Sequence, residues 1–196
     1  MKHRKSLGAF LVLFFLLGVP AVWADSYKVD KDHTSISFKI RHIFSNVQGS
    51  FRDFDGAIEY DPDKPETWSA NGTIKVDSID TNVPERDKHL KSKDFFDAAQ
   101  FPAISFKTTK VISSTKENAK VEGLITIHGV EKPVVLDVEI HGVGKDPWGN
   151  VRAGFTATTK INRKDFDIIY NQVLDKGQLM IGEDVIITLE IEGIKV

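Results

Sequence analysis

Past its N-terminal apolar run, almost every stretch of this chain alternates apolar and polar side chains with a period of two, and only one long stretch abandons that rhythm. Such alternation marks half-buried strands. In the segment from His33 to Ile43, the residues Ile36, Phe38 and Ile40 share one face with His42 in phase, while Ser35, Ser37, Lys39 and Arg41 take the other. The pattern returns in Gly49 to Phe51, in Phe54 to Tyr60, and on the face made by Trp68, Ala70, Gly72, Ile74 and Val76. It continues through Ile104 and Phe106, and through Val121, Gly123, Ile125 and Ile127. After a connection read at Gly129 to Pro133 come Val134, Leu136, Val138 and Ile140, then Ala153, Phe155, Ala157, Thr159 and Ile161. A short polar stretch from Asn162 to Lys176, with a helical turn at Arg163 to Phe166, precedes Val185, Ile187, Leu189 and Ile191. Asp61-Pro62-Asp63 and Asp146-Pro147-Trp148-Gly149 read as turns, the latter with proline second and glycine fourth.

Strands joined by short turns predict an antiparallel sheet with one apolar face. No second family of helices is present to cover that face, so the sheet must close on itself or split into a sandwich. Closure is the expectation: an all-β fold, one antiparallel lipocalin-like barrel of about eight strands, whose interior is just wide enough for side chains or one ligand.

The exception is Ser78 to Phe106. Asn82, Pro84 and Glu85 read as a helix start, with Asn82 as the cap and proline in the first turn. Asp87 and Lys91 stand four apart on one side of the helix. Leu90 is the only large apolar residue between Pro84 and Lys93, so this helical insertion, about residues 83–97, is not an amphipathic core helix. Phe95, Phe96, Phe101 and Pro102 come after it, and they are suited to pin a polar helix as a lid over one end of a barrel.

The N-terminus has the marks of a secretory signal peptide over residues 1–24. A basic start at Lys2, Arg4 and Lys5 leads into apolar Leu7 to Leu17, and Gly18 and Pro20 precede Val22-Trp23-Ala24. The alternative, an uncleaved anchor, is disfavoured by the shortness of the apolar run and its Gly-Val-Pro break. Cleavage after Ala24 leaves one domain, 25–196, of about 170 residues, enough for a single core. It also removes basic residues only, making a chain of formal charge −2 more acidic, which argues against nucleic acid as a partner. The chain has no cysteine, so disulfides, a catalytic thiol, thiolate metal ligands and a lipid-modified cysteine anchor are excluded. The expected product is a soluble periplasmic protein without a stable membrane anchor once the leader is cut.

Recognised chemistry is sparse. His33, His42, His89, His128 and His141 show no zinc-helix spacing, and no Gly-x-Ser-x-Gly turn occurs. Asp53, Asp55, Asp61 and Asp63 sit at turns, where aspartate serves the backbone. Asn71-Gly72-Thr73 matches a glycosylation sequon but falls in a strand behind a bacterial-type leader. No catalytic residue, metal or cofactor is assigned. What is abundant is inward apolar side chain, which makes either a packed core or a cavity. Ala57, Ala70, Gly72, Gly123, Ala153 and Ala157 share the same phases and leave room.

If the interior is a cavity, its predicted lining is Phe38, Ile40, His42, Ile58, Ile74, Val76, Phe106, Ile125, Ile127, Leu136, Val138, Phe155, Ile187 and Leu189. A polar head would meet the helix at the rim, at Arg86, His89 and Lys91. Burying hydrocarbon contributes about 0.8 kcal/mol per methylene, so a tail of about twenty carbons has on the order of 16 kcal/mol of gross transfer energy.

The ordered motifs resemble those of the YceI-like polyisoprenoid-binding family across essentially the whole mature chain. They are Asp30-Lys-Asp-His33-Thr-Ser35-Ile-Ser-Phe38 leading to His42, Gly49-Ser-Phe51, Phe54-Asp-Gly56, and Ser78-Ile79-Asp80-Thr81. Arg86-Asp87-Lys-His89-Leu90, Asp94-Phe95-Phe96-Asp97 and Phe101-Pro102-Ala-Ile104-Ser-Phe106 continue the series. So do Leu124-Ile-Thr126-Ile-His128-Gly129-Val130, Pro133-Val134, Gly154-Phe155 and Asn162-Arg163-Lys-Asp165-Phe166. Asp167 and Tyr170 stand where members often carry a glycine and a tryptophan. The resemblance implies a lipocalin-like periplasmic barrel whose interior holds a long isoprenoid, a polyisoprenoid or a ubiquinone-type molecule; a homodimer is separately an allowed assembly. Two other functions stay open at this point. One is an enzyme acting on an isoprenoid substrate with His42 or His128 as acid/base; the other is a stress-related interaction protein.

Overall fold

The alternating segments fold into eleven strands of one antiparallel sheet in a computed structural model that describes residues 24–174 and 177–196. The leader assigned to 1–24 lies, but for Ala24, outside the described residues. The strands are β1 (Asp25–Val29), β2 (Ser35–His42), β3 (Ser45–Phe51), β4 (Phe54–Tyr60), β5 (Ser69–Lys75), β6 (Ile79–Asp80), β7 (Ala103–Ser114), β8 (Asn118–Ile127), β9 (Val130–Lys145), β10 (Val151–Asn162) and β11 (Ile181–Lys195). One short helix, α1 (Pro84–Leu90), interrupts them between β6 and β7.

Eight of these strands close as a barrel, in the order β1-β4-β5-β7-β8-β9-β10-β11 and back to β1. Closure rests on β11, whose C-terminal end meets β1 at Gly193↔Val29 through Lys195↔Tyr27. The other end of β11 carries β2, with Glu190↔Ser35 through Val185↔Ile40, and β3 and β6 extend this flap. A closed ladder leaves its strands no free edge, so backbone donors and acceptors are met within the sheet.

Two sequence expectations shift. The connection read at Gly129–Pro133 is a two-residue turn at His128 and Gly129, with φ of 51° and 76°, and β9 begins at Val130. Pro133 therefore lies inside a strand, opposite Leu124. It is tolerated because pairing of β9 with β10 begins only at Asp137, so its missing N–H faces no neighbour there. The helix is also shorter than the expected insertion, and its cap is Val83 rather than Asn82, which adopts φ of 60°. The start is held instead from behind: the Asp87 carboxylate accepts the Thr81 N–H at 2.9 Å and the Thr81 hydroxyl, and Lys91 makes no ion pair with it among the described residues. Phe95, Phe96 and Leu90 pack into the core, while Phe101 turns onto the His128 ring at 4.6 Å and Pro102 is exposed.

The interior divides along the barrel axis. At one end Tyr27, Tyr60, Ala119, Ile140, Ala153 and Phe155 form a solid plug, with Trp68 and Val138 against it. Tyr60 meets Phe155 edge-on at 5.1 Å and Trp68 at 4.7 Å. Above the plug, Arg152 donates to Asp30 at 2.6 Å, to Asp146 at 2.7 Å and to Glu192, tying the β1–β2 and β9–β10 turns together. The other end is walled by a larger cluster that includes Phe51, Phe54, Ile104, Ile127 and Phe166, under α1.

Phe155→Ala should lower the urea-denaturation free energy by about 3–5 kcal/mol, since it empties the centre of the plug. The acid limb is a second test. Hydrogen bonds from Arg152 hold Asp30 down at about 2 and Asp146 lower still. Carboxylates depressed in this way stabilise the fold at neutral pH, and that contribution disappears as pH falls from about 4 towards the folded values. Arg152→Met should move the acid-unfolding midpoint to higher pH, measured by circular dichroism.

Candidate functional site

Between the plug and α1 the barrel encloses a cavity of about 430 Å³. Its wall comes from residues that sequence phase alone turns inward: Phe38, Ile40 and His42 from β2, Ile58 from β4, Ile74 from β5, Phe106 from β7, Ile125 and Ile127 from β8, Leu136 from β9, and Ile187 and Leu189 from β11. Three expected lining residues are elsewhere. Val138 and Phe155 have the right phase but stand at the height of the plug. Val76 leaves the strand for a 3-10 turn, where its N–H donates to the Pro102 carbonyl at 2.9 Å and its side chain is buried away from the void.

Small residues make the space in two ways. Ala70, Gly72 and Ala157 are themselves part of the wall. Gly123 instead makes room for Phe106, whose ring lies 2.4 Å from where a Cβ would project, and Gly49 does the same for Phe38 at 2.4 Å. Both rings can thus lie flat along the sheet rather than stand in the void. Ala153 is fully enclosed in the plug, and Ala57 is not on the wall.

Of the expected rim residues, Arg86 and His89 reach the cavity and Lys91 does not. Arg86 is already engaged: its Nε donates to the Thr81 hydroxyl and its Nη2 to the Thr81 carbonyl, each at 2.8 Å. His89 donates to the Asp94 carboxylate at 2.9 Å and stands edge-on to Phe95 and Tyr170 at 5.0 and 5.1 Å. These residues form the lid end of the cavity, so their charges serve first to build the lid.

The sequence reading missed one whole section of wall. Arg163, Phe166, Ile168 and Tyr170 line the cavity from a segment read as a polar connection, and Met180 and Ile181 join them from just before and at the start of β11. A signal was there: Phe166, Ile168 and Tyr170 keep the period of two beyond the 3-10 turn at Arg163–Phe166. Near Met180 and His42 the β2–β3 turn is strained, with Ile43 at φ of 49° and Phe44 91% exposed.

The histidines separate by environment. His42 is on the wall and makes no side-chain hydrogen bond among the described residues. The His128 Nδ1 meets the Phe166 carbonyl at 3.2 Å, off the cavity wall, and His141 is exposed against the Thr156 hydroxyl. Asp30, His33 and Glu192 bring ligand atoms within 4.8 Å of one another, yet the Arg152 guanidinium donates to both carboxylates and already supplies the cation there. The void is thus bordered mostly by apolar side chains, and His42 is a wall imidazole without a side-chain hydrogen bond among the described residues.

Comparison with known proteins agrees with this architecture. The YceI-like domain family matches residues 27–193. A protein of Pseudomonas savastanoi pv. phaseolicola named UPF0312 is 43% identical over 168 residues, covering 84% of this chain and 88% of that one. The Campylobacter jejuni YCEI protein superposes with a TM-score of 0.69 at 36% identity, covering 85% of this chain and 96% of that one. A Saccharophagus degradans domain described as polyisoprenoid-binding superposes at 0.66 and 13% identity, covering 87% and 98% respectively, which shows the fold alone.

Gly49→Ala tests how the wall makes its space. The atoms its Cβ meets belong to the side chains of Phe38 and Thr81, so the Phe38 ring should turn into the void. The expected result is a loss of about 1–3 kcal/mol in stability together with a smaller cavity in the variant's crystal structure. Gly123→Ala also meets the Lys107 carbonyl at 2.7 Å, which cannot rotate away, and should cost more.

Proposed function

The chain belongs to the YceI-like family, and from that premise we propose that it is a periplasmic carrier that holds the hydrocarbon of a long isoprenoid lipid in the barrel cavity. The observation that carries this reading is the axial division of the interior, with a solid plug at one end and an apolar void of about 430 Å³ at the other. That volume lies within the range of about 300–1,000 Å³ usual for small-molecule sites. A void lined chiefly by apolar side chains, Ile and Phe above all, recognises shape and hydrocarbon. Each methylene moved into it contributes about 0.8 kcal/mol before the cost of ordering the chain is subtracted.

An isoprenoid suits this wall better than a mixed-polarity ligand, because polar groups placed along the strands would be buried without partners. The polyisoprenoid-binding name of the Saccharophagus degradans domain supports the same ligand class on the same fold. The leader at residues 1–24 supports the periplasmic location. Binding rather than turnover is favoured by His42, which lines the void without a side-chain hydrogen bond to any acid, base or nucleophile among the described residues.

Protein purified from its native host should yield a stoichiometric isoprenoid on extraction into organic solvent and mass spectrometry. Repeated absence of any lipid, together with failure of the stripped protein to bind one, would sink the carrier reading. Ala157→Phe is the matching variant: Ala157 sits on the wall, buried to 3% exposure, and a phenyl ring there takes up the void. Lipid affinity should fall at least about tenfold, or about 1.4 kcal/mol, while circular dichroism and the thermal midpoint report an intact barrel.

A further inference from the structure

Among the described residues, Arg163 carries the one buried side-chain nitrogen or oxygen left without a hydrogen-bond partner. It comes directly after β10 at the start of the 3-10 turn Arg163–Phe166 and is only 4% exposed. Its Nε donates to the Gly182 carbonyl at 2.9 Å and its Nη1 to the Ile168 carbonyl at 2.6 Å. Nη2 is buried and has no partner among the described residues. Nor does Arg163 have a carboxylate partner there: Glu183, the nearest influence of opposite sign, is paired with Lys164 at 2.5 Å.

A guanidinium stays protonated, so this is a full positive charge on a wall shared with Phe166, Ile168 and Ile181, and no carboxylate among the described residues is paired with it. Burial alone pulls its proton affinity down, in keeping with an environment that disfavours the charge. Leaving a buried charged donor unmet is unfavourable by an amount that folding seldom tolerates without a reason. Two backbone carbonyls fix the guanidinium plane but neutralise nothing. What would complete the site is an acceptor that also carries negative charge, held by the charge-assisted hydrogen bonds for which the guanidinium fork is suited.

We propose that Arg163 is the buried anchor for an anionic oxygen head, a phosphate or carboxylate, on the lipid whose chain fills the cavity. This rests on the carrier reading and adds the head-group class to it. It moves head-group recognition away from Lys91 and from the already engaged Arg86, to the section of wall after β10. Less than 1 Å² of Nη2 is open, so the head group reaches it as covering wall residues shift. Beside it the wall continues through Ile168, Tyr170, Met180 and Ile181.

The test uses two probes with the same chain, farnesyl phosphate and farnesol, titrated into lipid-stripped full-length mature protein by calorimetry. The wild type should prefer the phosphate by at least about tenfold, the worth of a charge-assisted hydrogen bond. Arg163→Met should erase the preference and Arg163→Lys should narrow it, the readout being the ratio of the two affinities within each variant. Because either variant could disturb the turn, the guanidinium 15N–1H resonances of wild-type Arg163 are monitored as well; they should shift with farnesyl phosphate and not with farnesol. Equal affinity for the two probes, or an Arg163 signal that ignores the phosphate, overturns the anchor while chain binding stands. Failure of farnesol to bind as well removes the carrier reading, and the anchor with it.

Discussion

The structure depends on one strand serving two partners on the same side. β11 pairs with β10 along its length, while its opposite edge is divided between β1 at the C-terminal end and β2 before it. The first contact closes the barrel and the second lays the β2–β3 flap along it. Had β11 ended where β1 begins to pair, the sheet would keep an open edge and its apolar face would need another cover. Closure instead creates an interior that side chains must fill or leave empty, and the two ends of this barrel make opposite choices.

At the plug end, aromatic rings and Ala153 fill the cross-section, and the Arg152 network ties the turns above them. At the lid end, a seven-residue helix is too short to be stable by itself. It persists because Thr81, Asp87 and Arg86 form a closed set of hydrogen bonds at its start, and because Leu90, Phe95 and Phe96 anchor its C-terminal end and the adjoining turn in the core. Polar contacts therefore sit where the barrel must be sealed, and apolar ones where it must be filled. Arg163 departs from that division, since its charge lies in the wall and its hydrogen bonds only orient it.

Much of the fold was legible in the residues. The alternation from Ile36 to Ile40, or from Val185 to Leu189, states which side chains turn inward without reference to any neighbour. The turn at Asp146–Gly149 forms as its proline and glycine require, with Gly149 N–H donating to the Asp146 carbonyl at 3.0 Å. Asn82 misled because a capping residue type stands one place before the true cap, Val83, which makes no side-chain cap bond; Asp87 instead reaches back out of the helix to accept the Thr81 N–H. The segment after Asn162 misled in the other direction. Its charged residues hid Phe166, Ile168 and Tyr170, which carry the wall onward.

What the sequence determined by itself was the inside and the outside of each strand, because side chains alternate across a sheet by local geometry alone. It could not determine height along the barrel. That depends on register between strands far apart in the chain, such as Phe155 against Ile140 and Ile191, and on which rings meet across the interior. For that reason Phe155 and Phe106, equivalent in pattern, part company: one fills the plug and the other borders the void. Tertiary structure also decided that Arg163 is buried, since nothing in the run Asn162 to Asp167 distinguishes a guanidinium turned into an apolar wall from one turned to water.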